Sequence, residues 1–163
     1  EGKRPWFHYH KFLQEKAAKI LGKEAALYVP SGTMSNIVAT RTHTSPGDEI
    51  VTEAHSHIYR YEGGAFAALS GCSIALVHTG NGLMTGAAVS DSIRKAEGSL
   101  SHYPNGSLVC VENTAQGGGG TVYSQNTLDE ICKVAKEKDA LVVTGHDPDA
   151  WVNFKKAPLF FYD

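Results

Sequence analysis

A chain of 163 residues, 42% hydrophobic and 20% charged, has enough apolar material to bury one sizeable core. A net charge of −2 excludes the basic footprint of a nucleic-acid binder, and no apolar run approaches the length that spans a bilayer. Cys72, Cys110 and Cys132 are well spaced in apolar contexts, which predicts buried, reduced thiols and a cytoplasmic setting. There is no signal-peptide pattern, although the chain does not begin with methionine.

In chain order, residues 3–9 are aromatic and basic without a period. Leu13, Ala17, Ile20 and Leu21 share one helical face and predict a helix over 11–21, ended by Gly22 as its C′ residue. A strand over 26–29 is expected next, then a tight polar turn at Ser31, Gly32 and Thr33. A helix over 33–43 follows, with Met34, Ile37 and Val38 inward and Arg41 snorkelling. Pro46, Gly47 and Asp48 form a turn before a strand over 49–52. Residues 55–61 read as a polar aromatic loop, 63–69 as a small helix and 73–77 as a strand. A helix over 87–96 turns Val89, Ile93 and Ala96 inward, and a polar connector covers 98–106. The apolar run 107–111 has the pattern of a parallel strand buried on both faces. A glycine-dense loop over 113–120 precedes a capping box at 127–130, whose helix presents Leu128, Ile131, Cys132 and Ala135 inward. A strand over 140–144 completes the pattern. The alternation predicts a single α/β domain over 1–163, with a mainly parallel sheet flanked by helices, and an atypical tail over 145–163.

Open α/β sheets bind ligands outside the carboxyl ends of their strands. Three polar loops fall at such ends. The turn at Ser31, Gly32 and Thr33 starts a helix, so its free N–H groups suit an anion, or simply an ordinary cap. In the second loop, His55 and His57 are open to three readings: metal ligands, an imidazole that stacks on a flat ring or acts as a base, or surface histidines. Arg60 and Glu62 read there as a solvated ion pair. The third loop starts with Glu112, Asn113 and Thr114, which project into the crevice or form an Asx-type turn.

Together these blocks resemble the threonine aldolase and β-eliminating lyase family of fold type I pyridoxal-phosphate enzymes. The matching runs are EKAAKILGKEAALYVPSGTMSN (15–36), PGDEIV (46–51), SHIYRYEGGA (56–65), NGLMT (81–85), VCVENT (109–114) and GGGTVY (118–123). The resemblance covers about 12–144. It implies that Ser31, Gly32 and Thr33 form the cup for the phosphate of pyridoxal 5'-phosphate. His57 is implied to stack on the pyridine ring and to serve as base or water-positioning group, while Glu112, Asn113 and Thr114 line the ring's edge. The implied reaction cleaves a β-hydroxy-α-amino acid to glycine and an aldehyde. A homo-oligomer is implied as well, because sites of this fold type form at a dimer interface. The apolar run 159–162 adds a reason to expect burial against something.

The departures are specific. Ala115 stands where the family's E-N-T-H run has its histidine. In the D-G-A-R run, Thr144 replaces the aspartate that pairs with the pyridine nitrogen, and Asp147 replaces the carboxylate-binding arginine. The Schiff-base lysine belongs to an S-K-G motif beyond the last residue here, and Lys155 and Lys156 do not resemble it. The small C-terminal domain is likewise absent. The expectation is little or no activity for this chain alone, or a non-catalytic relative that binds a phosphate ligand or assists assembly.

Overall fold

A computed structural model describes residues 5–96 and 102–145. Part of the 98–106 connector and the tail beyond Gly145, with Asp147, Lys155 and Lys156, lie outside the described residues. Chain contacts divide the protein into two compact units, Glu1–Met34 and Ser35–Asp163.

The first unit is built on helix α1 (Pro5–Leu21). It starts earlier than the periodicity of 11–21 suggests. Pro5 occupies the first helical position, where proline's missing N–H costs nothing. Gly22 ends the helix as predicted, at φ +61°. Gly22 N–H donates to the Lys19 carbonyl and Lys23 N–H to the Ala18 carbonyl, which satisfies two orphan acceptors of the last turn. The strand expected over 26–29 does not form. Leu27 is 68% exposed, Tyr28 N–H donates to Gln14 Oε1 at 2.8 Å, and the Tyr28 ring stacks on His10. An apolar run without a neighbouring strand has no ladder to join, so its amides turn to side chains.

Helix α2 (Gly32–His43) is capped by Ser31, whose Oγ accepts Met34 N–H at 3.1 Å. Its inward face is mixed: Ile37 and Val38 are half-buried as expected. Met34 and Arg41 are exposed, and the buried residue is Thr40, whose hydroxyl lies 3.4 Å from Ser70 Oγ.

In the second unit, β1 (Asp48–Glu53), β2 (Ser73–Val77), β3 (Asn105–Glu112) and β4 (Leu141–Gly145) form a parallel sheet in the order β2-β1-β3-β4. The loop expected at 55–61 instead contains a one-turn helix, α3 (His57–Arg60), followed by α4 (Ala65–Ala68). Helix α5 (Gly86–Ser92) stops sooner than predicted, leaving Ala96 exposed, though Val89 and Ile93 are buried as expected. Helix α6 (Gln125–Glu137) starts two residues before the predicted box. Ser124 is its cap and accepts Thr127 N–H, so Thr127 occupies the third helical position. Ile131 and Ala135 are buried, but Cys132 is exposed and Val134 packs inward in its stead.

The sheet carries apolar residues on both faces. Val51 and Val109 pack with Val89 and Ile131 on one side, while Ile50 and Leu108 pack with Cys72 and Cys110 on the other. Each fully buried aliphatic side chain contributes about 1.5–3 kcal/mol. Burial, aided by the Glu62 and Cys72 charges, pushes the Cys110 thiol up to about 12. Among the described residues no helix is long and apolar enough to cross a membrane.

Candidate functional site

The order β2-β1-β3-β4 places the topological switch between β1 and β3, because the chain leaves β1 toward one edge and returns on its other side. A crevice opens at the carboxyl ends of such a strand pair. The loops that leave these two ends carry His55, His57, Glu112, Asn113 and Thr114.

Glu112 ties the loops together. Its Oε2 accepts His57 N–H at 2.7 Å, and its Oε1 accepts Gln116 N–H at 3.1 Å. Ser56, the N-cap residue of α3, makes no side-chain cap bond, so the carboxylate from β3 receives the first helical amide. A negative charge at that end also suits the helix dipole.

The His57 ring is held from another direction. Its Nδ1 lies 2.9 Å from Glu62 Oε1, and that oxygen also accepts from Asn36 Nδ2 at 2.6 Å. Glu62 is buried, whereas the His57 side chain is 38% exposed. Glu62 is therefore not half of a solvated pair with Arg60, as the sequence suggested. Arg60 Nε donates to the Ala54 carbonyl instead. A carboxylate acceptor at Nδ1 keeps the ring proton there and leaves the lone pair on Nε2.

Asn113 is buried. Its Oδ1 accepts Tyr123 N–H at 3.2 Å, while its Nδ2 has no partner. Thr114 is exposed, and Ala115 is buried in a bridge to Thr121. Tyr123, which the sequence reading passed over, secures the floor. Its hydroxyl accepts Met84 N–H at 2.7 Å, and burial together with the Glu53 and Glu112 charges raises its ionisation above the ordinary range despite that bond. Glu53 was missed too. It is 5% exposed and accepts from His55 and Thr79. Its signal was weak: one acidic residue closing an otherwise unremarkable strand.

The turn at Ser31, Gly32 and Thr33 belongs to the first unit. There Ser31 and Gly32 are exposed, and a Cβ at Gly32 would meet nothing within 4 Å. Among the described residues no group of three potential metal ligands gathers, and each of the two imidazoles faces its own carboxylate.

Over residues 8–145 the chain matches the family described as Beta-eliminating lyase. It is 36% identical to low-specificity L-threonine aldolase 1 of Arabidopsis thaliana, over 76% of this chain and 35% of that protein. The solved threonine aldolase of Leishmania major shares the fold, with a TM-score of 0.68 at 22% identity over 78% of this chain and 36% of that one. A short likeness, 54% identical over 41 residues, is to the N-acyl homoserine lactonase AttM of Agrobacterium fabrum, covering 25% of this chain and 16% of that protein. The chain spans about a third of the length of the threonine aldolases it matches.

Proposed function

The chain belongs to the beta-eliminating lyase family, and on that premise we propose that it forms the binding core of a pyridoxal-phosphate lyase of the threonine aldolase kind. Its substrates are β-hydroxy-α-amino acids, cleaved to glycine and an aldehyde.

The residues fit the cofactor in three respects. A helix start with Gly32 and Thr33 offers amides and a hydroxyl to a phosphate. A half-exposed imidazole, His57, offers a face to a flat ring. The buried, unpaired Nδ2 of Asn113 offers a donor that still lacks an acceptor. Glu112 bounds the same edge, although both of its oxygens are taken by backbone amides. When bound, pyridoxal phosphate supplies an electron sink for the bond being broken.

This chain's own contribution is position and proton transfer. Glu112 fixes the His57 backbone and Glu62 fixes the ring, so Nε2 is the atom left to take the proton of the substrate's β-hydroxyl. The double anchoring of His57 is the observation that carries the reading. Glycine release from threonine tests it: release by the cofactor-supplied protein is expected to be slow, because the sequence carries no S-K-G lysine, and His57→Asn lowers it further by about 10²–10⁴-fold. Absence of release by the wild type overturns the reading.

A second reading is a phosphate-binding relative without turnover. Thr144 and Ala115 support it, because neither position carries an ionisable side chain. It predicts reversible pyridoxal-phosphate binding, weakened by Thr33→Val, with no glycine formed. Assembly as a homo-oligomer is part of the proposal under either reading, with sedimentation velocity as its check.

A further inference from the structure

Two imidazoles at this edge are held by buried carboxylates. His55 Nδ1 lies 3.2 Å from Glu53 Oε1, and His55 N–H donates to Glu53 Oε2 at 2.6 Å. The Thr79 hydroxyl donates to Glu53 Oε1 at 3.0 Å and itself accepts Gly82 N–H at 2.9 Å. Burial on its own raises the Glu53 carboxyl, but these hydrogen bonds outweigh it and hold the group below its ordinary range. The His55 side chain is 46% exposed. The pair therefore repeats His57 and Glu62: an anchored Nδ1, a free Nε2 and a ring partly in solvent.

The facing loop supplies no competing acid or base. Gly117 approaches so closely that a Cβ there would lie 2.3 Å from His55 Cβ. Residues 113–122 contain no titratable side chain, and Glu112 is occupied by amides.

Cleaving a β-hydroxy-α-amino acid moves two protons at two different atoms. One leaves the hydroxyl oxygen as the aldehyde forms. Another must reach Cα, where the electron pair of the broken Cα–Cβ bond is left. We propose that His55 is the second proton-exchanging group of the site: while Glu53 holds the Nδ1 proton, Nε2 takes a proton from solvent, and the resulting imidazolium delivers that Nε2 proton to Cα while His57 Nε2 takes the hydroxyl proton. The assignment rests on the lyase reading above. The ledger balances: His57 gains one proton, His55 loses one, and exchange with solvent restores both without any oxidant or reductant.

The test uses His55→Asn, which retains an amide donor toward Glu53 but removes Nε2. The measurement is deuterium uptake from D₂O at the α-carbon of glycine on cofactor-loaded protein. Uptake is expected to slow by about 100-fold or more, with Tm and cofactor affinity unchanged, and Glu53→Gln slows it as well. His78→Asn, an exposed histidine after β2, leaves uptake unchanged. On cofactor-free protein, ¹⁵N shifts are expected to show His55 protonated at Nδ1, with that preference lost in Glu53→Gln; this readout also serves if the asparagine variant does not fold. Wild-type uptake in His55→Asn, or an Nε2-protonated neutral ring in the wild type, overturns the assignment while leaving the lyase reading standing. A wild type that neither exchanges glycine nor cleaves threonine overturns both.

Discussion

Strand β1 has a buried glutamate near each end, and the two differ in their partners. Glu49 is 1% exposed and is met by Arg94 through two donors, Nε and Nη2, with Ser73 Oγ donating to the same carboxylate. That contact raises Arg94 further above its ordinary range. Glu53 meets an imidazole, a hydroxyl and a backbone amide. A guanidinium stays charged at every accessible pH, so the amino end of the strand is locked. An imidazole carries no such fixed charge, and the proton exchange proposed for the carboxyl end rests on that difference. With residue type, strand and burial nearly matched, the partner separates a structural acid from the one to which the proposal assigns chemistry.

The largest way to break the comparison is Arg94→Met. It strands Glu49 in the core, and urea unfolding is expected to show a loss of about 2–4 kcal/mol, moderated because the guanidinium reaches solvent. The double variant with Glu49→Gln is expected to recover part of that loss. At the carboxyl end, Gly118→Ala is expected to cost about 1–3 kcal/mol, because a Cβ there would lie 1.9 Å from the Asn81 carbonyl oxygen. Tyr123→Phe, which leaves Met84 N–H without its acceptor, is expected to cost about 1–2 kcal/mol, read from the urea midpoint.

Glu53→Gln sharpens the contrast through pH. The folded Glu53 carboxyl lies below its ordinary value of 4.5, so the unfolded chain binds its proton more readily. Its contribution to stability is therefore present above about pH 4.5 and lost as pH falls through the folded value. Stability curves of wild type and Glu53→Gln are expected to differ in their acid limb. Loss of no stability at all accompanies the last contrast: a maleimide is expected to label exposed Cys132 in the native protein, and Cys72 and Cys110 only after unfolding.

Strand 73–77 was legible to the residue, because five apolar-rich residues between glycine-marked turns have few other uses. β3 was legible from its near-continuous apolar run. The segment 26–29 misled, since apolar content does not reveal whether a partner strand exists. Ser124 lost to Thr127 because both fit a capping pattern, and only the chain's path decides which hydroxyl meets the first turn. At the site, loop position exposed His57 and Glu112, and the resemblance added their roles. Glu62 and Glu53 were illegible as anchors. Their meaning depends on Asn36, His57 and Thr79, at separations of 26, 5 and 26 residues, which no local pattern encodes.

The central claim is that the cofactor site lies at the carboxyl edge of the sheet. Amide chemical-shift mapping of ¹⁵N-labelled protein titrated with pyridoxal phosphate tests it most directly. The predicted result is saturable shifts at His57, Asn113 and Thr114, with Glu49 and Arg94 unmoved. Shifts centred on Glu49 and Arg94, or no saturable shift anywhere, would contradict it.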